Sequence, residues 1–195
     1  MADLKLSKVK FKITYTGDFD LKHLYNMIYD WLRANDWKSM KGDDDADQCE
    51  ILYRQNDLAG GLQEHHIWWR LKKEPKDGPE YKYDLNINFQ TVALQKKEIV
   101  YKGKKIQADS GEVGIEITCN LIFNPAEEGK WDTGIMKRFY SFYIDLKKKQ
   151  IDAAWDNMYM ELYYLQAHIK QYLNLRQFIP APEVELFHPS KEYSH

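Results

Sequence analysis

Between Gly134 and Pro180 the chain carries no proline and no further glycine, and the interval is filled with good helix formers. Within it Ile151, Trp155, Met158, Leu162, Leu165, Ile169 and Tyr172 recur at steps of 4, 3, 4, 3, 4 and 3, one apolar stripe of an α-helix. Upstream, Ile135, Phe139, Phe142 and Leu146 repeat at 4, 3 and 4, but the step from Leu146 to Ile151 is five. The spacing therefore predicts helix over residues 132–176, either bent at Lys147–Gln150 or built as two helices in one line. A straight helix of about 40 residues is about 60 Å long, roughly twice the width of a small domain. Such a helix must fold back over the rest of the chain or project toward a partner.

The remainder reads as strands around one short helix. From residue 8 to 16 the chain alternates, Val9, Phe11, Ile13 and Tyr15 on one face and Lys8, Lys10, Lys12 and Thr14 on the other: a half-buried strand. Gly17 ends it. Asp18 or Asp20 can cap a helix over 20–35, whose apolar face is Leu21, Leu24, Tyr25, Ile28 and Leu32. Strand signals occupy 49–123: Cys49–Gln55, His65–Leu71, Tyr81–Leu94, a hairpin of 98–101 and 105–108 about Lys102-Gly103-Lys104, and a last strand with Val113, Ile115, Ile117, Cys119, Leu121 and Phe123 on one face. Tight turns between neighbours imply an antiparallel meander. The expected fold is α+β: about five to seven antiparallel strands, an N-terminal helix and long C-terminal helices on one face, in a single domain over residues 1–178. Pro180, Pro182 and Pro189 make residues 179–195 an extended tail whose Glu183–Phe187 run can add a strand to a sheet edge, its own or a neighbour's.

Composition narrows the function classes. Of 195 residues, 28 are Lys or Arg and 30 Asp or Glu, so no basic excess suits the chain to gripping nucleic acid. Lys137, Arg138 and Lys147–Lys149 form a local basic patch, diluted by Asp145, Asp152 and Glu161, and read as a solvated helix face. No run approaches the roughly 18 apolar residues of a membrane helix, and the first residues lack a signal-peptide core. The chain is expected to be soluble and cytoplasmic, or part of a viral or cellular assembly.

No catalytic constellation is legible. Asp43-x-Asp45-x-Asp47 opens like a calcium loop, but Gln48 stands where a glycine is needed and Arg54 where a bidentate Glu belongs, so a solvated acidic loop is the better reading. His65 and His66 leave opposite faces of one strand and cannot chelate an ion together. Cys49 and Cys119 sit in apolar strand patterns, as buried thiols do. Gly60-Gly61 precedes a strand and not a helix, which makes it a hairpin turn. No metal or cofactor is expected, and the chain does not read as an enzyme.

Candidate contact residues do stand out. His66, Trp68 and Arg70 share a strand face opposite His65, Ile67 and Trp69, while Trp155, Tyr159 and Tyr163 put aromatics on more than one flank of the long helix; Phe187 lies in the tail. These residues point to a non-catalytic structural or assembly protein, working through homo-oligomeric or partner contacts.

The order strand, helix, antiparallel meander, long last helix over residues 8–175 resembles the helix-grip arrangement of START-like domains. That resemblance implies an apolar cavity between sheet and helix, lined here by residues such as Tyr83, Leu85, Ile87, Ile117 and Met158, that would hold a small apolar ligand. Gly17-Asp18-Phe19-Asp20-Leu21, Leu24-Tyr25, Trp31 and Ile169–Leu175 are similar to a group of small uncharacterised archaeal proteins, which implies no activity.

Overall fold

In the computed structural model the described residues are 4–40, 49–74, 81–101, 104–123 and 136–173. The acidic loop Asp43–Asp47 and the tail with Phe187 lie outside them. Strand β1 (Leu4–Phe19) leads into helix α1 (Leu21–Ala34), followed by a two-residue strand β2 (Lys38–Ser39), then β3 (Glu50–Asp57), β4 (Gln63–Lys73), β5 (Tyr81–Tyr101), β6 (Lys104–Phe123) and helix α2 (Met136–Tyr172). All pairings are antiparallel: β1-β6-β5-β4 run side by side, and β2 and β3 both pair with β4. The fold is α+β, a six-stranded antiparallel sheet with two helices. The expected hairpin at 98–108 is the far end of β5 and β6, which stay paired out to Tyr101 and Lys104.

Strand alternation sorts the sheet into rows. Trp69, Ile87, Ile117 and Phe11 face one another across four strands, as do Ile67, Phe89, Ile115 and Ile13, and Leu71, Leu85, Cys119 and Val9. These rows are the core, and nearly all of their members are buried. Leu24, Ile28 and Leu32 of α1 and Met158, Leu162, Leu165 and Ile169 of α2 complete it. Asp20 caps α1, its Oδ1 accepting the His23 N–H at 3.0 Å, and the Tyr172 hydroxyl donates to the Asp20 carbonyl. Glu161 of α2 accepts the indole N–H of Trp37 (2.8 Å) and pairs with Lys73 (2.7 Å), while Tyr83 donates to the Ala154 carbonyl.

The interval 136–172 forms one uninterrupted helix, about 55 Å long at 1.5 Å per residue. The five-residue step from Leu146 to Ile151 turns the apolar stripe by about 140° around its axis. Phe142 and Leu146, upstream of that step, are 66% and 69% exposed. No described helix is long and apolar enough to cross a membrane.

One irregularity shapes the end of the sheet. The β5–β6 register shifts between Val92 and Gln95, where Ala93 adopts a left-handed φ of 53°. This bulge changes the phase of β5: Thr91 faces inward, and beyond the bulge Leu94 does so too, buried to 2% exposure. Opposite it, a Cβ on Gly111 would stand 3.0 Å from Val92 O, Ala93 O and Leu94 Cα, all backbone atoms. Gly111→Ala is expected to destabilise the fold by about 1–3 kcal/mol in urea unfolding, because the backbone cannot yield as a side chain would; unchanged stability would show that the close approach at the bulge is not required.

Candidate functional site

The bulge opens onto a cleft of about 620 Å³ between the start of α1 and the inner face of the sheet. Leu21, Lys22, Tyr25 and Asn26 line it from the helix; Glu50, Tyr53 and Gln55 from β3; Gln63, His65 and Ile67 from β4; Leu94 and Lys96 from β5; Asp109 from β6. A volume in this range is what small-molecule sites occupy.

Its polar groups are mostly held by one another. Asp109, 3% exposed, takes the N–H of Leu21 on Oδ2 (3.0 Å) and pairs with Lys96 through Oδ1 at 2.5 Å. Tyr25 donates to Glu50 Oε2 at 2.9 Å; burial, reinforced by that carboxylate, raises the Tyr25 hydroxyl above its ordinary value. Gln55 and Gln63 each give an amide hydrogen to Asp57 Oδ1.

His65 is the exception. It is 5% exposed, its backbone N–H donates to Thr91 Oγ1 (2.8 Å), and its Nδ1 lies 3.0 Å from the same oxygen. Thr91 is fully buried and has no other acceptor among the described residues, so its hydroxyl hydrogen belongs on Nδ1. The proton of the neutral ring therefore sits on Nε2, which has no protein partner among the described residues. Burial also lowers the imidazole below its ordinary value, outweighing the pull of Asp109.

The residues singled out from sequence fall elsewhere. His66, Trp68 and Arg70 share the outer face of the sheet, where Trp68 is 41% exposed. There Arg70 stacks over Trp68, 5.7 Å from the ring centroid, and donates to Asn88 Oδ1 at 2.9 Å. Trp155 packs against the core, whereas Tyr159 and Tyr163 stack on each other at 6.4 Å and remain 48% and 36% exposed. Tyr83, Leu85, Ile87, Ile117 and Met158 are buried and none lines the cleft; Met158 Sδ rests 3.2 Å from Cys119 Sγ. Cys49 and Cys119 are both buried and form no disulfide. No group of His, Cys, Asp and Glu able to hold a metal occurs among the described residues. Cleft residues other than His65 carry no sequence signal of a site, because they come from five elements, between one and four from each.

The outer surface of α2 has a pattern of its own. Phe142, Leu146, Met160 and Tyr164 are all at least 48% exposed, and Ala153 between them is exposed as well. Leu146 and Met160 stand seven residues from Ala153, Phe142 and Tyr164 eleven. Seven and eleven residues are close to two and three helical turns, so all five lie on one line pointing away from the sheet.

Comparison with protein-family models, curated proteins and solved structures finds no match for this chain.

The His65 geometry fixes the sign of a pH effect. The unfolded imidazole takes up a proton near pH 6.5 and the folded one only at lower pH, so the neutral ring contributes stability that is full above pH 6.5 and is lost as pH falls through the folded value. Urea unfolding from pH 7.5 to 4.5 is expected to show a shallower loss on acidification for His65→Gln than for the wild type. Parallel curves would contradict a neutral buried imidazole.

Proposed function

We propose that this chain is a non-catalytic assembly protein whose contact element is the outward stripe of α2, and that the partner is a second copy of the same chain. The observation that carries this reading is the symmetry of the stripe about Ala153. When two such helices lie antiparallel with a two-fold axis at Ala153, Phe142 of one meets Tyr164 of the other and Leu146 meets Met160. The small Ala153 stands where the two backbones approach most closely. On one flank Lys149 meets Asp156 of the second copy, and the symmetry repeats that pair. An isologous interface requires self-complementarity of this kind, and a helix that serves only its own core has no need of apolar residues on its solvent side.

The length of α2 supports the same reading. Among the described side chains of α2, inner-side packing starts at Ile151, and Phe142 and Leu146 ahead of it are exposed on the opposite side. Exposed Tyr159 and Tyr163 sit beside the stripe and can border the contact. Sedimentation equilibrium is expected to give twice the chain mass of 23.3 kDa. Leu146→Glu places one carboxylate in each of two symmetry-related contacts and is expected to weaken association at least tenfold while circular dichroism stays unchanged, since Leu146 is solvent-exposed in the single chain. A wild-type protein at the chain mass, or a Leu146→Glu protein with undiminished association, would overturn the proposal.

A further inference from the structure

We infer that the cleft between α1 and the bulged end of the sheet is a binding site for an uncharged ligand carrying a vicinal diol and a flat apolar face, the chemistry shared by pyranose sugars and nucleosides. Among the described residues none of α2 lines the cleft, so this inference stands apart from the assembly reading.

Its charge selects against ions. Lys22 and Lys96 balance Glu50 and Asp109, and Asp109 is already occupied by Lys96 and the Leu21 N–H. With two charges of each sign the lining offers an ion of either sign no net attraction. The groups left unsatisfied suit hydroxyls, which donate and accept at once. The donor is His65 Nε2–H, left open because Thr91 occupies Nδ1. The acceptors are the second oxygen of Glu50 and the amide oxygens of Gln55 and Gln63, whose nitrogens are turned to Asp57. A carboxylate beside amide carbonyls accepts from adjacent hydroxyls, and a fixed N–H donor returns a hydrogen bond to the same group. His65 is 5% exposed as a residue and lines the cleft, so its free N–H is offered to a hydroxyl that enters there.

Tyr53 supplies the apolar contact. Its ring is 52% exposed at the rim and is set edge-on to His65 at 6.0 Å between centroids. One face of a pyranose or a nucleobase can lie on it while the hydroxyls reach inward over Ile67 and Leu94.

Ligand-observed saturation-transfer NMR on the full chain at pH 7.5 tests this directly, with one arm of methyl glucoside, galactoside and mannoside and a second of adenosine and uridine. At about 10 mM, above the millimolar Kd of a weak site, transfer is expected from members of one arm and identifies the source of the diol. In the arm that binds, the analogue lacking one hydroxyl of the diol is expected to bind at least tenfold more weakly, as are Tyr53→Ala and Glu50→Gln. Tyr53 is half exposed, so Tyr53→Ala keeps the fold and isolates the contact. Absence of transfer from both arms would overturn the inference, as would transfer that survives Tyr53→Ala and Glu50→Gln at full strength.

Discussion

The in-or-out phase of β4, β5 and β6 is the constraint on which the rest of the molecule depends. Trp69, Ile87 and Ile117 meet in one row because their strands share a register, and a slip of one residue would exchange that row for Arg70, Asn88 and Thr118 or their neighbours. The apolar face so formed is covered by α1 and the second half of α2. A side chain such as Leu85 or Ile115, fully removed from water, stabilises the fold by about 1.5–3 kcal/mol. The opposite face carries Lys10, Lys12, Glu116, Asn86, Asn88 and Arg70, and the ion pair of Lys10 with Glu116 there is exposed and worth little.

Departures from that regular phase are where the candidate functions lie. At the end of the sheet the β5 bulge lets Thr91 and Leu94 both face inward and brings Lys96 to Asp109, and the ladder of β4 against β5 shifts at the same level, between Gln63 and His66. Bulges commonly re-aim side chains beside binding sites. Here they open the sheet toward the start of α1, whose first N–H is taken by Asp109. Along α2 the departure is the five-residue step at Leu146, which leaves the helix with apolar side chains on its solvent side as well as on its core side.

Much of the fold was legible because periodicity reports burial directly. Val113, Ile115, Ile117, Cys119 and Leu121 alternate and are all fully buried; Ile151 to Ile169 steps by 3 and 4 and packs accordingly. The opposite faces of Trp68 and Trp69 obey the same rule, the first 41% exposed and the second fully buried. The bulge was hidden because Ala93 is not a residue type that announces a positive φ; the trace it leaves is the five-residue step from Phe89 to Leu94 between inward apolar residues. A similar step in α2 was visible, but a helix bend and a change of face produce the same spacing, and only the exposure of Phe142 and Leu146 separates them. The cleft was illegible for a different reason: Glu50, Tyr53, His65, Lys96 and Asp109 are brought together by tertiary structure and share no local pattern.

Pairing of α2 with itself about Ala153 is the central claim, and its most direct test is a cross-link at the two-fold axis. The native thiols Cys49 and Cys119 are buried, so a cysteine introduced on α2 reports alone. Helices packed at about 8–10 Å bring residues on the facing line within the Cα separation of about 4.4–6.8 Å that a disulfide spans. Ala153→Cys is expected to form a disulfide-linked dimer rapidly under mild oxidation, whereas Asp152→Cys, turned by about 100° around the same helix, should stay monomeric on a non-reducing gel. Equal cross-linking at both positions, or none at 153, would contradict self-pairing of the helix.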